Sequence, residues 1–377
     1  MSRFWNEQAE GCPGAKAGKG REGLRVLLTG EQGYIVNCLE KWLELRKDLG
    51  GKAAGSIAEI KKISLRGEAW QAMDFSGYDC IVHLAGLAHG REKEEGADFA
   101  VINTELTRKL GEKAQKEGVS HFVFISTMAV YGVKDSLEGG GLRKGSSKRG
   151  GKQEKGPSLG QPSVINENTP LAPFTAYGKS KLAAEQALAA MAAGAAGAVG
   201  AARAADAGEG LALALVRPPM VYGPDCPGNY QSLRKLILKV KVFPRYDNAR
   251  SMIFIDNLCE LIRLVIVNRS AGVFTPQNRE YVKTWQMAEA IARNNGVNIW
   301  CSALFNPMIK VLGGIAGSLP GRIPAKIYGS LAKAFGSLVY DQSMSEYFDN
   351  RYCVCDYQES MRRTERAYQK NRTLNRA

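Results

Sequence analysis

The chain has 377 residues, of which 45% are hydrophobic, and a formal net charge of +14 at pH 7. This length suits one large domain or two moderate ones, and the apolar fraction is typical of a soluble globular protein. Eight cysteines form no CxxC pair and only three histidines are present, so no structural zinc or other metal site is expected.

Composition also bounds location and partners. The cysteines are typical of thiols kept reduced inside the cell. The first 22 residues lack the apolar core of a signal peptide, so a cytoplasmic protein is expected. Much of the positive charge lies in "GGGLRKGSSKRGGKQEKG" and "RRTERAYQKNRTLNR", and no nucleic-acid motif accompanies it. Nucleic-acid binding is therefore not expected, whereas anionic substrates or acidic lipids fit the charge.

Strands and helices alternate in the first half of the chain. After residues 1–22, expected to be a disordered extension, strands are predicted for "LRVLLTG", "AEIKKISL", "YDCIVHLAG" and "HFVFIST". Between them, amphipathic helices are predicted for "YIVNCLEKWLELRK" and "NTELTRKLGEKAQKEG". This alternation indicates an α/β fold: a Rossmann-type doubly wound parallel sheet over residues 23–218 with a smaller C-terminal substrate-binding domain.

Irregular segments divide the rest of the chain. Residues 135–168, rich in Gly, Ser and Lys, predict a mobile surface insertion, and residues 192–210 predict an alanine/glycine spacer. Residues 219–345 are expected to form mainly the substrate-binding domain, with residues 250–275 returning to the sheet layer. Residues 346–377 are expected to be a basic tail.

Two stretches of the C-terminal part carry their own expectations. A helix with Thr284 as its N-cap is predicted for "TWQMAEAIARNNG". Residues 302–340 hold four basic and no acidic side chains among apolar ones, which suits a membrane surface or packing in the small domain. Because Gly and Pro interrupt the stretch repeatedly, packing is favoured over peripheral membrane contact.

A glycine-rich turn, "TGEQGYIV", joins the first strand to the first helix. Such a turn lets the backbone approach a pyrophosphate that the helix N-terminus binds, so Gly30, Gly33, Tyr34 and Ile35 are predicted to bind a dinucleotide cofactor. The usual third glycine is replaced by Val36, so either the turn adapts or cofactor affinity falls.

Cofactor choice depends on the end of the second strand, "ISLRGE". Arg66 stands where NAD-preferring proteins usually keep an acidic residue, and an arginine there favours the 2′-phosphate of NADP. The alternative is a solvated Arg66, with Glu68 binding the ribose. NAD or NADP is expected, with NADP favoured.

In "TAYGKSK", Tyr177 precedes Lys181 by four residues, so both side chains project from one face of a predicted helix. Alone, this pattern favours an ordinary solvated pair. Together with "TGEQGYIV", "HLAG", "FVFISTMAVYG" and "VRPPMVYGP" in order, however, residues 24–290 resemble the extended short-chain dehydrogenase/reductases. More narrowly they resemble the NAD-dependent epimerase/dehydratase family, and within it bacterial UDP-sugar 4-epimerases and 4-keto reductases of capsule and exopolysaccharide assembly.

The resemblance implies three catalytic residues. Tyr177 would exchange a proton with the sugar, Lys181 would hold the nicotinamide ribose, and Thr127 would hydrogen-bond the reacting sugar oxygen. Ser126 is the backup for Thr127 in this substrate contact. A free phenol has a pKa of about 10, and a neighbouring ammonium and an oxidised nicotinamide are expected to lower it.

Further cofactor contacts follow from the same resemblance. Asn103 matches the family's asparagine on the helix that lines the site, although Leu106 replaces the glycine of that motif. Leu84 and Ala85 follow His83 beside the cofactor, and His83 itself is expected to be structural.

The substrate side of the resemblance rests on the second half of the chain. Arg250 aligns with the family's diphosphate-binding arginine, and a guanidinium suits that group; a surface salt bridge is the alternative. Met220 stands where many members place an asparagine, and Asn229 is also predicted to bind substrate. Pro218 and Pro219 are expected to pack against the nicotinamide.

The residues after Thr127 discriminate among reactions. Nucleotide-sugar 4,6-dehydratases carry an Asp–Glu pair there, because elimination of water needs an acid and a base. Met128 and Ala129 can supply neither, so dehydration is not expected. C4 epimerisation and 4-keto reduction remain, and Val36 and Arg66 favour reduction.

The sequence therefore predicts NAD(P)-dependent hydride transfer at C4 of a UDP-hexose or UDP-N-acetylhexosamine for polysaccharide precursors. A homodimer through the helices that carry Asn103 and Tyr177 is expected. The alternative class is a non-catalytic dinucleotide-sensing or scaffold protein, which Val36 and the long insertions would suit. Such a protein has no need of Thr127, Tyr177 and Lys181 together.

Overall fold

Short, mostly apolar strands build the sheets of this protein. The computed structural model describes residues 23–47, 56–84, 86, 100–132, 163–194, 211–307, 309 and 335–374. The strands are β1 (Leu24–Thr29), β2 (Ile57–Ile63), β3 (Cys80–His83), β4 (His121–Ile125), β5 (Ser163–Ile165), β6 (Ala212–Val216), β7 (Met220–Tyr222), β8 (Val242–Pro244), β9 (Met252–Phe254), β10 (Gly272–Phe274), β11 (Trp300–Ser302) and β12 (Leu338–Tyr340).

Six of these strands form one parallel sheet in the order β2, β1, β3, β4, β6, β10. The α-helices are α1 (Tyr34–Leu45), α2 (Leu106–Lys116), α3 (Ala176–Gly194), α4 (Asn229–Ile237), α5 (Ile255–Val267), α6 (Thr284–Asn294) and α7 (Tyr357–Leu374). β3 and β4 are buried throughout, as expected when helices cover both faces of a parallel sheet.

Alternate residues of β1 enter two different cores. Val26 and Leu28 pack in the cluster that contains Leu39 of α1 and residues of α5, whereas Leu27 packs in the cluster that contains Leu110 of α2 and residues of α3. Because successive side chains of a strand point to opposite faces, the two clusters cover the two faces of the sheet. The predicted doubly wound α/β fold is confirmed.

Three two-stranded parallel sheets accompany the central one: β7 with β9, β8 with β11, and β5 with β12. Within residues 250–275, α5 packs on α1 and β10 lies at the edge of the central sheet. β9 instead pairs outside the central sheet.

Two boundaries differ from those predicted. Residues 163–165, assigned to the mobile insertion, form β5, because Ile165 is buried in a cluster with Val130 and Tyr340. Thr284 is the first residue of α6 and not its N-cap; Asn248 Oδ1 accepts the Thr284 N–H at 3.0 Å, and Lys283 occupies the cap position.

The basic segment 346–377 is not a free tail over residues 357–374, which form α7. Met361, Thr364 and Glu365 share its buried face, at a spacing of three and four residues. Glu365 accepts hydrogen bonds from Tyr230 Oη at 2.6 Å and Arg234 Nε at 2.7 Å, both on α4. The buried ion pair between Arg234 and Glu365 and the neighbouring hydrogen bonds stabilise the position of α7. Contacts of this kind cannot be predicted from the pattern of apolar residues in the sequence.

Several predicted segments lie outside the described residues: 1–22, Ala85, 133–162 of the insertion, 195–210 of the spacer and most of 308–334. Within the described ranges, no helix is long and apolar enough to cross a membrane, and no three His, Cys, Asp or Glu side chains cluster as a metal site would require.

Candidate active site

The turn between β1 and α1 has the backbone shape that a pyrophosphate requires. Gly30 has a φ of +104°, which favours glycine, and the Gly33 N–H donates to Gly30 O at 3.0 Å. No acidic side chain lies in the first turn of α1, so the helix N-terminus, where Tyr34 and Ile35 stand, suits an anion. Val36 is buried in the core, and the turn keeps its closing hydrogen bond beside it.

β2 ends three residues before Arg66. The Arg66 N–H donates to Ser64 Oγ at 3.3 Å, which holds the turn after the strand, and the side chains of Arg66 and Glu68 are both exposed. Arg66 and Glu68 thus both follow the end of β2, two residues apart. The Arg66 guanidinium would bind a 2′-phosphate, whereas the Glu68 carboxylate would bind ribose hydroxyls.

Thr127 and Tyr177 meet at the carboxyl end of β4. Thr127 caps the 3₁₀ helix Met128–Tyr131, where its Oγ1 accepts the Ala129 N–H at 3.2 Å, and its side chain also hydrogen-bonds the Tyr177 hydroxyl. Burial raises the pKa of the Tyr177 phenol to about 12, and the Thr127 contact opposes this shift. The Thr127 hydrogen bond is therefore one contribution that favours the phenolate.

Lys181 points into the protein one helical turn after Tyr177. Its Nζ donates to the carbonyl of Ile125 at 2.9 Å and lies 4.6 Å from the centroid of the Phe124 ring, so the ammonium is held at the end of β4. Burial lowers the pKa of Lys181 to about 8, and the Glu185 carboxylate opposes this shift. The charge of this ammonium is thus sensitive to mildly alkaline pH.

A π-helical turn, Ala100–Glu105, brings Asn103 to the same place. Such turns frequently mark functional sites. Asn103 Nδ2 donates to Ser180 Oγ at 3.1 Å, next to Lys181 on α3. A Cβ atom added to Gly86 would lie 2.9 Å from Asn103 Oδ1 and 3.2 Å from Lys181 Nζ, so the backbone after β3 approaches both side chains closely. Sequence reasoning quoted this glycine in "HLAG" but did not select it.

His83 is buried between β1 and α2. Its Nδ1 lies 2.7 Å from Thr29 Oγ1 and its Nε2 lies 2.9 Å from Thr107 Oγ1. Burial, aided by the nearby Lys181 ammonium, lowers the pKa of His83 to about 3. A neutral imidazole with both nitrogens engaged gives this residue a structural role; Leu84, which follows it, is partly exposed.

A backbone hydrogen bond connects the segments that follow β4 and β6, next to Thr127. The Met128 N–H donates to the carbonyl of Pro218 at 2.9 Å, and Pro218 and Pro219 are buried. Ser126 Oγ is also buried, and no described residue gives it a hydrogen-bond partner. A buried hydroxyl of this kind, at the carboxyl end of a central strand, is suited to a bound ligand.

The predicted substrate residues Met220, Asn229 and Arg250 line one cavity of approximately 320 Å³. Its other walls are largely apolar side chains of α4, β9 and α6. Arg250 Nη1 donates to the carbonyl of Gly336 at 3.2 Å. Thr127 and Tyr177 are not among the described residues that line this cavity; Met220, which does line it, follows Pro218, whose carbonyl accepts the Met128 N–H.

A buried ion pair between Glu185 and Arg217 lies next to Lys181. Glu185, one turn further along α3, accepts from Arg217 Nη2 at 2.6 Å and Nε at 3.1 Å, and Arg217 Nη1 donates to Tyr131 Oη at 2.9 Å. Sequence reasoning missed this pair. The signal was present, because Glu185 follows Lys181 by four residues and Arg217 precedes the predicted cofactor contact Pro218.

The chain is similar to known proteins over most of its length. Residues 26–275 match the model of the NAD dependent epimerase/dehydratase family. The chain is 29% identical over 305 residues to UDP-glucose 4-epimerase of Vibrio cholerae, which covers 75% of this chain and 81% of that protein. It is 25% identical over 316 residues to the N-acetyl-alpha-D-glucosaminyl-diphospho-ditrans,octacis-undecaprenol 4-epimerase of Escherichia coli O157:H7, with coverages of 80% and 82%.

Solved structures show the same fold. The Bordetella bronchiseptica enzyme WbmG in complex with NAD and UDP is 18% identical, with a TM-score of 0.58 over 94% of this chain and 96% of that chain. The family match includes the glycine turn, the residues around Tyr177 and the Arg250 segment, and it spans well over half of the sequence. The chain therefore belongs to the NAD-dependent epimerase/dehydratase family.

Proposed function

We propose that the protein catalyses NAD(P)-dependent hydride transfer at C4 of a UDP-hexose or UDP-N-acetylhexosamine, with C4 epimerisation as the net reaction. The observation that carries this proposal is the hydrogen bond between Thr127 and Tyr177 at the end of β4, with Lys181 anchored one helical turn away. A dinucleotide sensor needs no phenol paired with a hydroxyl, so an enzyme is favoured over that alternative.

Three backbone and side-chain features suit a dinucleotide cofactor. The Gly30 turn and the N-terminus of α1 would hold the pyrophosphate, and Lys181 and Asn103 would hold the nicotinamide ribose beside Gly86, where a larger side chain would clash. When bound, the nicotinamide supplies reversible hydride transfer with a carbinol or ketone carbon. We infer NAD or NADP, and Arg66 is the residue that favours NADP.

Tyr177 is the group that moves the proton. Oxidation of the sugar C4 carbinol requires a base for its hydroxyl proton, and reduction of the ketone returns that proton from the phenol. A phenol with a pKa of about 12 keeps its proton at neutral pH and is ready to donate it. To act as the base it depends on the Thr127 hydrogen bond and on positive charge brought into the site.

Substrate binding is assigned to the cavity lined by Arg250. A guanidinium in the wall of a largely apolar cavity suits a diphosphate, because it offers paired donors to phosphate oxygens. The cavity volume is in the range of small-molecule sites. The diphosphate would lie near Arg250, and the hexose would extend past Met220 toward Thr127.

Epimerisation is preferred over 4-keto reduction because neither residue that favoured reduction decides between the two reactions. Val36 is accommodated in the core without opening the pyrophosphate turn, and Arg66, exposed beside an equally exposed Glu68, bears on the choice of cofactor and not on the net reaction. Two relatives of the chain, those of Vibrio cholerae and Escherichia coli O157:H7, are named as 4-epimerases. Dehydration remains disfavoured, since Met128 and Ala129 offer no carboxyl group.

We also infer that the enzyme is a cytoplasmic homodimer that associates through α2 and α3, the helices next to the site. Light scattering of the purified protein should give twice the mass of one chain. A monomer that retains full activity would contradict this assignment.

The proposed reaction is tested with purified protein, a UDP-hexose or UDP-N-acetylhexosamine and a trace of NAD or NADP. We expect nuclear magnetic resonance to show inversion at C4 without net formation of reduced cofactor. Tyr177→Phe should abolish inversion, whereas Lys179→Gln, an exposed neighbour on the same helix, should not. Stoichiometric oxidation of NADPH by a UDP-4-keto-sugar, with no inversion, would replace epimerisation by reduction.

A further inference from the structure

Four large apolar side chains are exposed around the small β8–β11 sheet. Leu236 in the last turn of α4 is 49% exposed, Val242 at the start of β8 is 40% exposed, Trp300 at the start of β11 is 58% exposed, and Leu304 in the following 3₁₀ turn is 78% exposed. We call these four residues, with the cations described below, the β8–β11 face. Exposed apolar groups scattered singly are ordinary, but a cluster calls for an explanation.

Backbone pairing places two of these side chains, Val242 and Trp300, side by side. Val242 and Trp300 are register partners in parallel strands, so both side chains emerge from the same side of the sheet. The Trp300 N–H donates to Lys241 O at 2.9 Å, and Leu304 follows four residues later, its N–H held by Ser302 Oγ at 3.2 Å. In the turn after α4, the Val240 N–H donates to Leu236 O at 3.1 Å, two residues before Val242.

Cations surround the apolar side chains. Lys235, Lys239, Lys241 and Arg245 are all exposed and lie on α4, on β8 or in the residues directly flanking them. The Arg245 guanidinium lies 4.5 Å above the Trp285 ring, which holds it at the rim. Asp247 is paired with Lys283, and Glu289 contacts Cys301 of β11, so the four cations outnumber the carboxylates near this face.

We propose that the β8–β11 face docks the protein onto the surface of an anionic phospholipid bilayer. Tryptophan and leucine on such a face enter the headgroup region, and lysine stems extend along the apolar surface while their ammonium groups reach lipid phosphates. Nucleic acid is a poorer partner, because Leu236, Val242 and Leu304 offer no ring on which bases stack. The charge complement selects an anionic bilayer over a neutral one.

Docking would bring the candidate site to the membrane. Leu236 belongs both to this face and to the lining of the Arg250 cavity, so one wall of the cavity adjoins the docked surface. The inference goes beyond the proposed function: a soluble UDP-sugar can react without membrane contact, and the two claims are tested by different measurements.

Co-sedimentation with vesicles tests the proposal. The full chain should pellet with phosphatidylcholine vesicles that contain phosphatidylglycerol, should pellet much less with phosphatidylcholine alone, and should be partly released by high salt. A double variant, Trp300→Ser with Leu304→Ser, should lose most binding. Lys239→Gln with Lys241→Gln should weaken binding about fivefold per charge removed.

Matched controls separate the face from the general positive charge of the chain. Lys41→Gln with Lys61→Gln removes the same charge from exposed positions of α1 and β2, and Leu45→Ser removes an apolar side chain exposed elsewhere. These variants should bind vesicles like the parent, and all variants should keep activity on a soluble UDP-sugar. The proposal would be overturned if the control variants lost binding equally or if the parent protein did not bind vesicles. It would also be overturned if the Trp300 and Leu304 changes dissociated an oligomer.

Discussion

Removal of the Glu365 carboxylate should destabilise the whole protein, although this residue lies in a segment whose composition suggests a solvated tail. The carboxylate is fully buried and accepts three hydrogen bonds: from Tyr230 Oη at 2.6 Å, Arg234 Nε at 2.7 Å and Asn295 Nδ2 at 2.5 Å. These partners come from α4 and the end of α6. Glu365 therefore connects α7 to two helices that contribute walls of the substrate cavity.

The magnitude follows from what the substitution leaves behind. Glu365→Ala would strand the largely buried Arg234 guanidinium without its counter-ion, and loss of one partner from such a pair costs about 3–5 kcal/mol. Glu359→Ala is the matched control on the same helix, because its pairs with Arg362 and Arg363 lie at the surface. Surface pairs contribute about 0–1 kcal/mol each.

Urea denaturation at neutral pH measures both free energies of unfolding. Glu365→Ala should lower the midpoint far more than Glu359→Ala, and it should also raise the KM for the sugar nucleotide, because Tyr230 lines the cavity. The double change Glu365→Leu with Arg234→Met should cost less than the sum of the single changes, since no charge is left unpaired. A Glu365→Ala protein as stable as the Glu359→Ala protein would refute the packing of α7 described here.

Three further predictions concern the site. Lys181 has a folded-state pKa of about 8, below its ordinary value of 10.5, so the ammonium is lost as pH rises through 8. In a pH–rate profile, kcat/KM should therefore fall above that pH. Glu185→Gln removes the charge that raises this pKa and should move the fall to lower pH. Arg250→Lys should raise KM about tenfold or more with little change in kcat, because it removes bidentate diphosphate binding; an unchanged KM for the sugar nucleotide would remove Arg250 from the substrate site. Arg66→Ala should reduce the ratio of NADP(H) to NAD(H) affinity in a fluorescence titration, and tighter NAD(H) binding by the parent protein would contradict the role given to Arg66.

The central sheet could be predicted from the sequence because its strands are short apolar runs separated by amphipathic helices. α7 was not predicted, since its buried face places the polar Ser360, Thr364 and Glu365 beside Met361, and this weakens the apolar pattern by which an amphipathic helix is recognised. β5 was missed for a different reason: a strand of three residues carries too few positions to show alternation.

The site was predictable in part. Helical spacing predicts that Tyr177 and Lys181 share a face, and the structure places Thr127 against Tyr177. The spacing does not show that the Lys181 ammonium turns inward to Ile125, because that depends on the position of β4 beneath the helix. Likewise, Met220, Asn229 and Arg250 lie on three separate elements, so the cavity they share depends on tertiary packing and not on any local pattern.

The most direct test of the proposed C4 epimerisation follows the hydrogen at C4. A UDP-hexose carrying deuterium at C4 is incubated with the parent enzyme and a trace of cofactor in ordinary water, and the product is analysed by nuclear magnetic resonance. Because the same hydride leaves and returns, the inverted product should keep its deuterium, and Tyr177→Phe should give no product while still binding cofactor. Loss of the deuterium to the cofactor pool, or normal turnover by Tyr177→Phe, would contradict the account.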